Sequence, residues 1–269
     1  HHAGAAHPFQ FELMRIASWN VNSAKARLEI IVNWLKSDPC DVLLLQETKS
    51  QDENFPLEAF YSLGWNIAIH GQKNYNGVAI ASRHLITNVM CGLPGDDTDA
   101  QARYIEASIV NVRVASIYLP NGNPAPGPKF DYKLRWMNRL NQRAATLLSR
   151  EQPIILGGDF NVIPDDLDCY DPLGWEGDAL TRPETRQAFR TLTNTGYRDA
   201  LRARSPHEVM YTYWDYQAGA WQRDHGVRID HLLLSPEAMD RLGAVGVDKA
   251  PRGLEKPSDH TPIWCELRF

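Results

Sequence analysis

Four cysteines with no CxxC pair, and no charged-then-apolar leader, leave this 269-residue chain without the marks of a disulfide-built secreted protein. Cys40, Cys91, Cys169 and Cys265 are expected instead as buried free thiols. Long apolar runs are missing too: VLLL at 42–45 and IIL at 154–156 fall far short of a membrane span. Together these absences predict a cytoplasmic protein with no membrane partner. Basic charge is scarce, with 28 Lys and Arg against 33 Asp and Glu, which excludes a surface coated in positive charge. A polyanionic ligand stays possible, because positive charge along one groove is enough to hold it. No sequence repeat and no low-complexity tract is present, so solenoids and arrays are excluded.

What the chain has is a hydrophobic content of 43%, enough for a sizeable core. Residues 1–13, HHAGAAHPFQFEL, read as a tag remnant ahead of Met14, so His1, His2 and His7 are set aside as metal ligands. Residues 14–269 are expected to form one catalytic domain. The pattern opens with a strand, RIASWN, and a helix over 27–36 with Leu28, Ile31, Trp34 and Leu35 at helical spacing. Strands follow at DVLLLQE, 65–71, 77–83 and the hairpin 103–120, and then a helix over about 131–149. The second half reads as strand PIILGGDFN, a helix at about 183–195, strands YTYWDY and RIDHLLLS, a short helix from Pro236 and a last strand TPIWCELRF. Strands outnumber helices in both halves. That excess favours two packed sheets with helices outside over a doubly wound parallel sheet.

Five segments set acidic or amide residues directly beside an apolar run: SWNVN at 18–22, LLLQETK at 43–49, ILGGDFN at 155–161, VRID at 227–230 and SDH at 258–260. Strand ends from distant parts of the chain can share one sheet edge, bringing Asn20, Glu47, Asp159, Asn161, Asp230, Asp259 and His260 together. Read singly, Glu47 is as well a turn-capping carboxylate, Asn20 a turn residue and His260 a structural histidine. Taken together the oxygen donors suit a hard cation such as Mg²⁺, which keeps several waters and needs one or two protein anions. Asp159 could then take a proton from water beside Asn161, with His260 the other candidate base. Asp230 beside His260 would favour the charged ring, which could donate to a phosphate. Tyr118 adds a phenol at a strand end. The stretch NGNPAPGP at 121–128 follows directly, as a stiff loop placed to touch substrate. Lys25, Arg27, Lys49, Lys73, Arg83, Arg103, Lys129, Lys133 and Arg135 lie near these motifs, each read singly as a solvated surface charge.

SWNVN, LQETK, IYLPNG, GDFNV, YTYWDY, RIDHLLLS and SDHTP, in this order, resemble the exonuclease III family of DNA-repair nucleases within the endonuclease/exonuclease/phosphatase superfamily. The resemblance runs from Met14 to Phe269. It implies a four-layer α/β sandwich, two mixed β-sheets packed face to face with helices on the outer faces. It also implies a Mg²⁺- or Mn²⁺-dependent enzyme that cuts double-stranded DNA 5′ to an abasic site and trims or cleans 3′ ends, with no obligate protein partner. Position by position, Glu47 would be the main metal ligand, with Asn20 and Asn22 beside it and Asp259 nearby. Asp159 would activate water, Asn161 position it, Tyr118 and Asn121 contact phosphate, and Asp230 support His260. Tyr213, Ile229 and Val227 would wall the pocket for a flipped sugar, Val227 standing where some relatives carry Trp. The cluster Tyr211, Tyr213, Trp214 and Tyr216 suits stacking on nucleotides. The alternative is a superfamily phosphatase or phosphodiesterase acting on a non-nucleic-acid ester, which would share GDFN and SDH but not RIDHLLLS.

Overall fold

A computed structural model describes residues 12–269, so residues 1–11 of the expected tag remnant lie outside the described residues. Two six-stranded sheets face each other. The first runs in the order β11 (Leu242–Val247), β12 (Ile263–Arg268), β1 (Leu13–Asn20), β2 (Val42–Gln46), β4 (Val78–Ser82), β3 (Asn66–His70). The second runs β5 (Ile86–Cys91), β6 (Tyr104–Ile109), β7 (Val112–Tyr118), β8 (Ile154–Asp159), β10 (Asp230–Leu234), β9 (Arg198–Asp199). Each sheet holds one parallel pair, β1 with β2 and β7 with β8, among antiparallel neighbours.

Side-chain alternation along the strands builds the layers. Ile16, Val42, Leu44 and Ile80 meet Val114, Ile155 and Leu232 in the core between the sheets. Offset by one residue, Ala17, Trp19, Leu43 and Leu45 point outward against α1 (Leu28–Lys36) and α2 (Leu57–Tyr61). On the far side Ala115, Ile117, Leu156 and Leu233 pack beneath α3 (Pro128–Leu148) and α4 (Pro183–Thr195). The result is helix, sheet, sheet, helix, the expected four-layer sandwich. At Gly157 an added Cβ would stand 2.7 Å from Leu44 Cδ1 and 2.8 Å from Leu232 Cδ2, so any larger residue would push those two core leucines aside.

Several expectations need correction. YTYWDY is no strand: Tyr213 alone bridges to Val227 and to His260, and the segment threads between them. The edge strands β5 and β11 and the short helices α2 and α5 (Ala200–Arg204) were not expected: β5 is largely exposed, the Gly-containing LGAVGV of β11 shows no clear alternation, and the helices have five residues each. Cys91 is exposed, on edge strand β5, while the other three cysteines are buried as free thiols. Lys133, read as a surface charge, has no exposure at all. No helix among the described residues is long and apolar enough to cross a membrane.

Candidate active site

The residues that close the inner faces of the central strands are polar. Asn20 lies four positions beyond Ile16, Tyr118 four beyond Val114 and Asp159 four beyond Ile155, so each points into the space between the sheets where the apolar core stops. Strand register then sets them side by side: Asn20 opposite Gln46, Tyr118 opposite Asp159, and Asp230 opposite Asp159. Beneath them Gln46 donates to Ser18 Oγ at 3.1 Å and Ser116 Oγ at 3.0 Å, a polar floor joining the two sheets. Just past the strand ends, Asn22, Glu47 and Asn161 all adopt left-handed backbone, with φ of 46°, 50° and 48°. Such conformations are strained for a residue like Glu47, and here they turn three side chains back over one edge.

Asp159 Oδ2 accepts from Asn20 Nδ2 at 2.8 Å, and its Oδ1 accepts from the Asn161 backbone N–H at 3.0 Å. The Asn161 amide itself donates to the Leu119 carbonyl at 2.7 Å. His260 Nδ1 sits 2.8 Å from Asp230 Oδ2, its Nε2 lies 3.5 Å from Asp159 Oδ2, and the Tyr213 ring packs edge-on at 5.0 Å. Thr212 Oγ1 accepts the N–H groups of Ile229 and Asp230, fixing that strand entry. Tyr118 donates its hydroxyl proton to Glu47 Oε1 at 2.8 Å.

Charge follows from these neighbours. Burial alone would lower the His260 pKa, but the carboxylates of Asp230 and Asp159 outweigh it and hold it well above the ordinary value, so the ring is an imidazolium. Burial pushes the Asp159 carboxyl up, with His260 opposing the rise and the charges of Asp230 and Glu47 adding to it. Tyr118 is raised well above the usual phenol range by burial and by the nearby charges of Glu47 and Asp159, so it stays a donor.

Glu47, Tyr118, Asp159, Asn161 and His260 line a cleft of about 250 Å³ with Asn121, Tyr213, Ile229 and Asp259 on its walls, while Asn20 and Asp230 are buried behind it as partners of Asp159 and His260. Asn123, in the 121–128 loop expected to touch substrate, lines it too, as do Trp175, Asp178 and Leu180, which lie in none of the motifs. Trp175 lies in the Gly- and Asp-rich stretch 171–178, where an isolated large aromatic in a loop is a usable signal. Three expected residues are placed elsewhere. Trp214 is fully buried, donates to Asp224 Oδ1 at 2.9 Å and packs edge-on against Trp221, so it cannot stack on a nucleotide. Val227 is buried behind the wall among Phe130, Cys169, Leu180 and Ile229 and does not line the cleft. Asn22 turns its amide oxygen to the Lys49 ammonium at 2.7 Å and its nitrogen to the Tyr216 hydroxyl at 3.0 Å, so that oxygen already faces a cation.

The sequence matches the endonuclease/exonuclease/phosphatase family profile over residues 17–260. The chain belongs to this family. It is 34% identical to the exodeoxyribonuclease III of Haemophilus influenzae, over 95% of this chain and 100% of that protein. Among solved structures, the 3′ phosphatase NExo of Neisseria bound to a product DNA hairpin is 41% identical with a TM-score of 0.93, covering 95% of this chain and 100% of that one. An AP endonuclease from Archaeoglobus fulgidus is 35% identical with a TM-score of 0.90, covering 94% and 98%.

A divalent cation fits the family site as it stands here. Glu47, Asp159 and His260 each bring a potential ligand atom within 4.8 Å of the others. Asp259 Oδ1 is buried without a hydrogen-bond partner, and burial together with the Glu47 charge raises its carboxyl against the pull of His260. The carboxylates of Glu47, Asp159 and Asp259 offer oxygen atoms to such an ion, beside the His260 ring. An all-oxygen set of this kind suits a hard ion rather than zinc.

Proposed function

We propose that this chain is a metal-dependent DNA-repair nuclease that hydrolyses the phosphodiester 5′ to an abasic site and acts on DNA 3′ ends as a 3′–5′ exonuclease and 3′ phosphatase. The observation that carries this reading is a proton acceptor and a hydrogen-bond donor set side by side in one cleft, each held by its own partners. Asp159 is aimed by Asn20 and Asn161, and His260 is kept charged by Asp230. Relatives named exodeoxyribonuclease III and AP endonuclease support DNA as the substrate, and the Neisseria structure with its product hairpin supports action at a 3′ end. A phosphatase acting on a non-nucleic-acid ester is not favoured by these relatives.

All three activities break the same bond, between phosphorus and a 3′ oxygen. Asp159 takes a proton from water, the water oxygen bonds to phosphorus, and the bond from phosphorus to the 3′ oxygen breaks, that oxygen taking its proton from solvent. A carboxyl raised by burial holds that proton better than an ordinary carboxylate would, so it is the stronger base. His260 and Asn161 can donate to phosphate oxygens that gain charge on the way. Tyr118 keeps the Glu47 carboxylate turned into the cleft. Mg²⁺ or Mn²⁺ held by Glu47 with Asp259 would offset charge on the phosphate and on the leaving oxygen, with Asp159 kept as the base. The activities differ in what lies 3′ of the phosphorus: an abasic sugar, a nucleotide or nothing. Tyr213, Ile229, Leu180 and Trp175 form the walls that would receive it.

The test is a duplex carrying one synthetic abasic site, labelled at each end in turn and incubated with Mg²⁺, with Mn²⁺ or with EDTA. Metal-dependent incision on the 5′ side, and shortening from recessed 3′ ends, is the expected result. Cleavage that survives EDTA would remove the metal from the reading, and an intact duplex would remove the nuclease.

A further inference from the structure

On α3 the buried positions are Phe130, Lys133, Trp136, Met137, Leu140, Ala144 and Leu147, an apolar stripe with one lysine in it. An ammonium there must be satisfied from within. Lys133 Nζ donates to the carbonyls of Asn161 at 2.6 Å, Asn121 at 3.0 Å and Ala179 at 3.4 Å. No carboxylate lies within 4.0 Å of it among the described residues; burial lowers its pKa to about 7, and the charges of Asp178 and Asp159 oppose that fall from further off. The three carbonyls belong to three separate loops. Asn121 follows β7, Asn161 follows β8, and Ala179 sits between Asp178 and Leu180 ahead of α4. Each loop gives the cleft at least one wall residue.

We propose that Lys133 is a positioning residue, its ammonium serving as a three-way clip that fixes the loops bearing Asn121, Asn161 and the Asp178–Leu180 wall in one arrangement around the scissile phosphate. The loops are also laced to one another: Ala179 N–H donates to Asn123 Oδ1 at 3.0 Å, and Ile163 N–H to the Leu180 carbonyl at 3.0 Å. The lysine stem has shaped its surroundings. Gly122 has φ of +89°, and a Cβ there would stand 2.6 Å from Lys133 Cδ, so the loop passes over the lysine only as glycine. Because Asn161 holds Asp159 through its backbone N–H, a shift in its loop reaches the base directly.

The proposal rests on the nuclease reading, and its test separates the two. Lys133→Met keeps the length and apolar stem but removes the ammonium. In single-turnover cleavage of the abasic duplex at saturating protein, the rate is expected to fall by about 10²-fold, the effect of small misplacement in a reacting geometry. The affinity for the duplex, measured with EDTA present, should change less than about threefold. Hydrogen exchange should accelerate together at the amides of Asn123, Asn161 and Ala179 while the core strands keep their protection. A wild-type rate with unchanged exchange in the three loops overturns the proposal. So does a rate loss that only matches a loss of folded protein. If Lys133→Met does not fold, Gly122→Ala, which crowds the lysine from outside the helix, decides by the same measurements: faster exchange at Asn161 and Ala179 supports the clip, and change confined to its own loop refutes it. A wild-type enzyme that cuts no duplex would instead sink the nuclease reading and leave the loop-exchange result standing.

Discussion

Asp159 and His260 stand 3.5 Å apart yet are suited to opposite tasks, because Asp230 accepts from His260 while Asn20 and the Asn161 N–H donate to Asp159. Asp230 is the largest of the charges that favour the imidazolium and the one that holds its Nδ1, so without it the ring is both less charged and less fixed toward the phosphate. The two residues therefore form one unit, and their losses should not add. Asp230→Ala and His260→Ala are each expected to cut turnover by about 10² to 10⁴, with the double variant close to the worse single. Steady-state rates on the abasic duplex check this, and losses that multiply would show independent roles. Residues of this kind were legible in the sequence because a strand's parity places its last polar side chain on a known face. Parity gave no help at Tyr213 and Trp214, neighbours of one chemical type outside any regular strand. One lines the cleft and the other is buried against Trp221. Lys133 was legible in principle, since it falls on the apolar stripe of its helix, but a lysine is mostly read as solvated.

Elements with long apolar runs, such as β2 and β8, and helices with a clear period, such as α1 and α3, follow from sequence because burial on known faces leaves a pattern. The edge strand β5 does not, since four of its six residues, Thr87, Asn88, Val89 and Cys91, are exposed and no run is needed to hold it. Between elements the sequence is weakest. Val227 precedes β10 and bridges both Cys169 and Tyr213, a position no periodicity announces. Its side chain is 1% exposed and packs with Phe130, Ile163 and Leu180. A tryptophan there would overfill a closed space, and overpacking typically costs about 1–3 kcal/mol. Val227→Trp is therefore expected to lower the urea midpoint and to weaken abasic incision and exonuclease action together. Unchanged stability with exonuclease action alone suppressed would mean that position 227 does reach the cleft.

Across the whole molecule, a buried charge network ties the loop around Asp168 to the second sheet. Arg228 is 1% exposed and pairs with Asp168 at 2.7 Å and Asp199 at 2.9 Å. Its NH1 lies 3.1 Å from His231 Nδ1, and because a guanidinium only donates, that nitrogen must be the acceptor. Nε2 then carries the proton and donates to the Val162 carbonyl at 2.8 Å, in the loop just after Asn161. Phe160 and Phe189 shield the ring. Burial, reinforced by the Arg228 charge and resisted by Asp199, lowers the His231 pKa from 6.5 to about 4. A base depressed in the folded state is neutral in both states above 6.5. Between 6.5 and about 4 only the unfolded chain takes up the proton, so stability is lost as pH falls through that window. The whole window amounts to roughly 3 kcal/mol. Asp168 and Asp199, both lowered, act in the same direction only below their ordinary value of 3.8. Asp159 and Asp259, both raised, act in the opposite direction, but equally in any variant that keeps them. Urea unfolding of wild type and His231→Gln at pH 7 and pH 4.5 isolates the histidine as a difference of differences. The wild type is expected to lose about 2–3 kcal/mol more than the variant over that interval. Equal losses would mean that His231 titrates in the folded protein as it does in the unfolded chain, and that the network does not hold it neutral.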